Sequence, residues 1–471
     1  MNIHVVKKGE SLQAISKRYG VNITQISTAN QLKNPDTLVI GQALVIPSPG
    51  YEYIIQPGDN LWAIAQRFGT SVQAIAVANQ LSNPIDISIG QVLFIPIHYH
   101  TVRPGESLWS IAQAYNVNPS DITEVNHIAS PYTLYIGQVL RIPERTRPFK
   151  EVNAYITTLD ASATENIHQL GRYFTYLAPF TYSIKEDGSL TELNDTAVIR
   201  AARSEHVSPL LVVTNFVNQN FNSDLAASLL RNQSVQDLLI QNLLSIMQEK
   251  GYNAVNFDFE YIYPEDRENY NSFLSRVVSQ LHPQGFLVST ALAPKLTSEQ
   301  KGILYEAHDY EAQGKIVDFI ILMTYEWGWA GGRPWAIAPI NEVKKVLDYA
   351  VTVIPRNKIM MGAPLYGRDW KIPWQEGTLA KTVSPQRAIQ LAQKYGATIE
   401  YNTTYQSPFF RYTDENGQQH EVWFEDARSA QAKFDVVKNY RLRGISYWVL
   451  GNPFPQNWLV QENNFKARKL I

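Results

Sequence analysis

The chain has 471 residues, 45% hydrophobic and 11% aromatic, which is enough to bury several cores, and its net charge of −2 gives no electrostatic reason to bind nucleic acid or an anionic membrane. It has no cysteine, which excludes disulfides, thiolate metal sites and a cysteine nucleophile. No stretch is apolar enough to span a membrane, no basic segment with an apolar run opens the chain as a secretory signal would, and no motif calls for a metal or a cofactor.

The first third is a repeat. Gly9, Asn30, Gly41 and Pro47 recur in order as Gly58, Asn79, Gly90 and Pro96, and again as Gly105, Asn126, Gly137 and Pro143. Fixed glycines and a closing Ile-Pro (Ile46, Ile95, Ile142) at a short period mark an array of small domains. In each copy an extended segment (His4 to Val6, Tyr53 to Ile55, His100 to Val102) meets a glycine and an acid. A run such as Ser11 to Ile15 follows, with Leu12 and Ile15 on one helical face behind a polar cap. A second short helix around Ile23 to Ala29 and a strand from Ala43 to Ile46 complete a predicted βααβ unit, over residues 1–48, 51–97 and 99–144. Packing and turn geometry alone account for Leu12, Ile15, Asn30 and Pro47.

These features resemble the LysM domain: Gly-Asp/Glu-Ser/Asn-Leu at the first turn, an Asn ending the second helix, and Ile-Gly-Gln before the last strand. The resemblance implies binding of N-acetylglucosamine polymers, peptidoglycan or chitin, in a shallow groove. It puts Gly9 and Glu10, Gly58 and Asp59, and Gly105 and Glu106 at the glycan, together with the loops Asn34 to Ile40, Asn83 to Ile89 and Ser130 to Ile136. Three weak sites in tandem hold a polymer better than one, by effective concentration.

A Pro/Arg-rich link, Pro143 to Pro148, leads into residues 150–471. Eight nearly apolar runs follow, separated by helix-length segments: Asn153 to Leu159, Phe174 to Phe180, Leu210 to Phe216, Ala254 to Glu260, Phe286 to Leu292, Phe319 to Tyr325, Ile359 to Tyr366 and Ile445 to Leu450. The pattern predicts an α/β fold, a parallel sheet closed as a TIM (β/α)8 barrel. The interval between the last two runs is too long for one helix and holds strand-like Tyr401 to Tyr412 and Glu421 to Phe424, so a small α+β insertion is predicted at about 369–438.

On the fourth run Asn256, Asp258 and Glu260 share one face, and Val255, Phe257 and Phe259 the other. With the bulky residues turned to the helices, two carboxylates and an amide stand inside the barrel at its C-terminal end. Burying two acids is costly unless they are used or paired. An alternating strand is also what half solvation produces; the place of this one, fourth among eight otherwise apolar runs, favours chemistry.

The segment resembles the signature of family 18 glycoside hydrolases, Asp-Gly-x-Asp-x-Asp-x-Glu, with Asp258 and Glu260 on its last two acids. Met323-Thr324-Tyr325, the stretch Met361 to Gly367, and Trp448 fit the same family. Asn253, Ala254 and Asn256 replace the Asp, Gly and Asp of many chitinases, and Glu326 follows Tyr325 where chitinases carry Asp. With LysM repeats in front, the chain resembles the cortical fragment-lytic enzymes and germination proteins of endospore-forming bacteria.

The resemblance implies retaining, substrate-assisted hydrolysis, in which the substrate's own 2-acetamido oxygen attacks the anomeric carbon. Glu260 is then the acid and base, Asp258 orients the acetamide and stabilises the oxazolinium, Tyr325 holds the acetamide oxygen, and Trp448 floors the reacting sugar. Asn256 touches the proton network beside Asp258. Trp327, with Trp329 and Trp335 in a Gly-rich loop, is a candidate for sugar stacking or a lid, and Tyr366 and Arg368 for leaving-sugar contacts. Core packing is the alternative for Tyr325 and Trp448. The expectation is a monomeric N-acetylglucosaminidase, anchored by its repeats, acting on peptidoglycan or cortex muropeptides in the spore coat and cortex or otherwise at the cell wall. A chitinase and a catalytically weak glycan-binding coat protein are the competing readings, the second disfavoured by the intact acids.

Overall fold

The computed structural model describes residues 1–47, 51–68, 70–79, 81, 83, 87–96, 98–115, 117–129, 132–143 and 147–471. Parts of two expected glycan loops (84–86 and 130–131), the link at 144–146 and the expected module ends 48, 97 and 144 lie outside the described residues. The chain forms two compact units: Met1–His4, Lys8–Leu38 and Leu44–Pro148 in one, and Phe149–Ile471 with Val5–Lys7 and Val39–Ala43 in the other. Among the described residues no helix is long and apolar enough to cross a membrane.

Each repeat folds as βααβ. Strand Tyr51–Ile54 pairs antiparallel with Val92–Ile95 around helices Leu61–Phe68 and Val72–Ala78, and His98–Thr101 pairs with Val139–Ile142 around Leu108–Tyr115 and Pro119–Val125. The first repeat has strands Asn2–Val5 and Ala43–Ile46 and helices Leu12–Tyr19 and Ile23–Ala29. The recurring asparagine has a physical cause. Asn79 Nδ2 donates to Ile75 O and Phe94 O, both at 2.7 Å, and its Oδ1 accepts the Phe94 N–H at 2.7 Å, so one amide sews the second helix to the last strand. Asn30 and Asn126 make the same three bonds. The glycine of the first turn has φ of +80°, +85° and +82° in Gly9, Gly58 and Gly105, a left-handed conformation that a Cβ would strain.

The larger unit is built on eight parallel strands: β1 (Phe149–Ile156), β2 (Tyr176–Pro179), β3 (Ser208–Thr214), β4 (Ala254–Asp258), β5 (Leu287–Leu292), β6 (Phe319–Leu322), β7 (Ile359–Pro364) and β8 (Gly444–Leu450). Each pairs with its successor and β8 pairs with β1, so the sheet closes into the barrel that the eight apolar runs predict. Helices fill the crossovers, from Ala161–Leu170 after β1 to Pro455–Asn464 after β8. Tyr176, Leu210, Val212, Phe319, Ile321 and Met360 pack the interior, so the barrel is a filled core with its site at one end.

Between β7 and β8 stands a five-stranded antiparallel sheet of Gly367–Ile372, Lys381–Val383, Glu400–Asn402, Ser407–Thr413 and Gln419–Trp423, with helix Pro385–Lys394. The predicted run Tyr401 to Tyr412 is two strands, broken where Asn402 Oδ1 accepts the N–H groups of Thr404 and Tyr405 and starts a turn. A capping box at Asp426 and Ser429 opens helix Ala427–Asn439, which packs against helices Ile340–Val353 and Pro455–Asn464 and against the insertion strand Ser407–Thr413.

Candidate active site

Strand β4 sets the site by its two faces. Phe257 and Phe259 point outward onto helix Arg267–Leu281, with ring centroids 5.2 Å between Phe257 and Phe273 and 5.7 Å between Phe259 and Tyr270. That packing turns Asn256 and Asp258 into the barrel, where both are buried. Glu260 lies just past the strand end, and its backbone is clamped on both sides by Asn215. Its N–H donates to Asn215 Oδ1 at 3.1 Å, and Asn215 Nδ2 donates to its carbonyl at 2.9 Å. His308 fixes the preceding residue: its Nδ1 accepts the Ala293 N–H and its Nε2–H donates to Phe259 O, each at 2.9 Å. Burial holds that imidazole at a pKa of about 4, neutral as this pairing requires.

Asn256 is engaged at both side-chain atoms, from across the barrel and from the adjacent β5: it accepts from the Tyr155 hydroxyl and donates to Ser289 Oγ, both at 2.9 Å. Asp258 is not saturated. Its Oδ1 is buried without a hydrogen-bond partner, and burial pushes its pKa up to about 7. Glu260 is pushed well above the usual carboxylate range by burial, then by the Asp258 charge, then by Glu326. Burial is also the leading cause that raises Tyr155 and Tyr325, followed in both by the charge of Asp258, with Glu260 contributing to each. Both phenols thus stand near enough to the two acids to feel their charge.

Tyr325, Tyr366 and Trp448 belong to one aromatic cluster with Trp370 and Trp423 of the insertion. Trp448 also meets Tyr155 at 5.4 Å and Phe180 at 5.0 Å between ring centroids. Behind Tyr325, Gly362 leaves room that a Cβ would fill: it would come within 2.5 Å of Leu322 O and 2.8 Å of Tyr325 Cε1. Glu326, in left-handed backbone at φ +68°, accepts through one oxygen from the Tyr366 hydroxyl and from Arg368 Nη2, the latter at 2.8 Å. Arg368 also lies over the Tyr366 ring, 5.0 Å from its centroid.

The tryptophan loop is more braced than its glycines suggest. Half-buried Trp327 donates its backbone N–H to Ile337 O at 3.1 Å, and Trp335 packs edge-on against Tyr405 of the insertion at 5.8 Å. Trp329 stays exposed, its ring lying over Gly331 and Gly332. Sequence reasoning missed Tyr155, Asn215, Ser289 and His308, which act on the site through hydrogen bonds from other strands and loops. Asn215 and Ser289 carried a signal, as polar residues within otherwise mostly apolar runs.

In the repeats, the first-turn acids are engaged within their own modules. Glu10 pairs with His4 at 2.9 Å and Arg18 at 2.8 Å. Asp59 accepts from the Tyr53 hydroxyl at 2.5 Å and the Gln56 N–H at 2.8 Å, and Glu106 from His100 at 2.6 Å and the Arg103 N–H at 2.7 Å. These bonds hold Asp59 and Glu106 below the usual carboxylate range, chiefly through Tyr53 for the first and the Arg103 N–H for the second.

Residues 4–47, 53–96 and 100–143 match the LysM domain. The chain is 44% identical over 476 residues to the cortical fragment-lytic enzyme of Bacillus subtilis (strain 168), spanning 100% of this chain and 99% of that one. The crystal structure of the spore cortex-lytic enzyme SleL of Bacillus cereus is similar at a TM-score of 0.79 with 40% identity, over 99% of this chain and 98% of that one. SleL of Bacillus megaterium QM B1551 is similar at 0.78 with 38% identity, over 100% and 99%. With residues 154–452 matching glycosyl hydrolases family 18 across the barrel that carries Asp258 and Glu260, the chain belongs to that family.

Proposed function

We propose that this glycoside hydrolase is an N-acetylglucosaminidase that cleaves peptidoglycan of the spore cortex, held there by its LysM domains. The observation that carries the reading is the pair at the end of β4: a buried Asp258 oxygen with no partner, two residues from the Glu260 carboxyl, whose pKa burial and the Asp258 charge raise. Glu260 gives its proton to the glycosidic oxygen while the substrate's 2-acetamido oxygen closes on the anomeric carbon. Asp258 accepts the acetamide N–H and balances the positive oxazolinium, and the Tyr325 hydroxyl donates to the acetamide oxygen. Glu260, now ionised, takes a proton from the water that reopens the ring, leaving the product in its original β configuration. The similarity to cortex-lytic enzymes along the full chain favours cortex over chitin as the substrate.

The test is product analysis on soluble cortex fragments beside chitin oligomers. New reducing ends should be N-acetylglucosamine, with the β-anomer first in time-resolved NMR. Reducing ends of N-acetylmuramic acid, or an initial α-anomer, would remove this reading. Faster turnover of chitin oligomers than of cortex fragments would favour a chitinase.

A further inference from the structure

The three LysM domains are not equivalent at the residue that follows the buried leucine of the first helix. Leu12 and Leu61 are buried there, so the next side chain, about 100° further round the helix, faces outward. That position is Gln13 in the first repeat but Trp62 in the second and Trp109 in the third, and the two indoles are 67% and 65% exposed. The repeats also differ further along. Ile40, Ile89 and Ile136 are exposed in all three, but Val92 and Val139 are exposed in the second and third whereas the first has a buried Ala43 at that position. Single exposed apolar residues are ordinary. The same three positions exposed in two successive copies are not scattered, and the first copy lacks the tryptophan altogether.

Each indole also stands next to a turn whose acid is already used. Asp59 is tied to Tyr53 and the Gln56 N–H, and Glu106 to His100 and the Arg103 N–H, which leaves the tryptophan as the large uncommitted side chain beside the turn. An exposed indole offers a flat face of negative electrostatic potential, which suits the C–H face of a β-linked pyranose, while the sugar's hydroxyls stay in water.

We propose that the second and third repeats hold the glycan strand by stacking sugar rings on Trp62 and Trp109, and that the first repeat supplies no such platform. This rests on the reading that the LysM domains engage peptidoglycan. Two weak platforms on one chain convert the second contact into an intramolecular one, so loss of both should cost far more than loss of either.

The experiment is sedimentation of the full chain with insoluble peptidoglycan sacculi over a range of sacculus concentrations. Trp62→Ala and Trp109→Ala should each weaken pelleting by roughly tenfold, and the double variant by roughly a hundredfold or more. Gln13→Ala should pellet as the wild type, and Gln13→Trp should pellet more tightly. A wild-type chain that does not pellet at all removes the underlying reading. A wild type that pellets with an unchanged double variant overturns the stacking inference alone. Self-association of the wild type that the double variant loses, seen by analytical ultracentrifugation without sacculi, would assign the indoles to a protein interface and overturn it as well.

Discussion

Tyr155 on β1 reaches across the barrel to donate its hydroxyl to Asn256 Oδ1 on β4 at 2.9 Å. The other side of that amide donates to Ser289 Oγ, whose own proton goes to Val255 O at 3.1 Å, so Ser289 has only an acceptor to offer. An amide, one face accepting and the other donating, satisfies both neighbours without charge.

Replacing Asn256 with Asp puts a titrating group into that slot, two residues from Asp258 on the same strand face. The new acid must hold a proton to keep the Ser289 bond, and once ionised it repels the charges of Asp258 and Glu260. In Asn256→Asp both limbs of the pH profile of kcat/KM should move upward, as values of the coupled group rather than of single residues. A profile that stays in place or moves downward would show that this position is electrostatically remote from the acids.

Asp258 also links stability to pH. Its folded pKa is about 7 against an ordinary 3.8, so the folded state holds this proton more tightly than the unfolded chain. The contribution is complete below about pH 4 and is lost as the pH rises through about 7, and the raised Glu260 acts in the same direction. The barrel transition should therefore melt lower at about pH 8 than at about pH 5. Asp258→Asn, which cannot ionise, should narrow that gap, by roughly 1–2 °C for each kcal/mol recovered in a unit of this size, with the share of Glu260 remaining. Calorimetry at the two pH values decides it, and a variant that melts no higher than wild type at the alkaline value refutes the linkage.

Gly362 on β7 is a test of how tightly Tyr325 is placed. In Gly362→Ala the new methyl would meet Leu322 O and Tyr325 Cε1 inside contact distance, and the backbone oxygen cannot yield as a side chain can. Displacement of a catalytic group by about 1 Å is worth up to roughly a hundredfold in rate. The expected outcome is a fall in kcat of roughly tenfold to a hundredfold with the fold retained by circular dichroism. Wild-type kcat would mean that Tyr325 either adjusts freely or takes no part.

The barrel was legible because β1 to β8 are buried on both faces and so read as apolar runs, and Asn256, Asp258 and Glu260 stood out because they break one run with period two. Register along a single strand is a local property, and a sequence displays it. Tyr155, Ser289 and His308 reach the site from β1, β5 and the loop after β5; Ser289 breaks an apolar run, but Tyr155 and His308 look in isolation like ordinary core or loop residues. In the repeats the glycines and asparagines announced the fold, while the engagement of Glu10, Asp59 and Glu106 by partners within each module depends on geometry that spacing does not carry.

Glu326 gives the last prediction. Its side chain accepts from Tyr366 and Arg368, and its charge is one of the causes that raise Glu260 and Tyr325. Glu326→Gln keeps the accepting oxygen for both partners and removes only the negative charge. Glu260 then loses one of the groups that disfavour its ionisation, so its pKa falls and the alkaline limb of kcat/KM moves to lower pH. Turnover on the acid side of the optimum should drop much less than the roughly hundredfold or greater loss expected for Glu260→Gln, because the proton donor itself is intact. Glu326→Asp, which keeps a carboxylate on a shorter stem, serves as the comparison: its alkaline limb should stay closer to wild type than that of the Gln variant. If the limb of Glu326→Gln is unmoved or shifts to higher pH, the Glu326 charge does not reach the acid, and the raised pKa of Glu260 must be carried by burial and Asp258 alone.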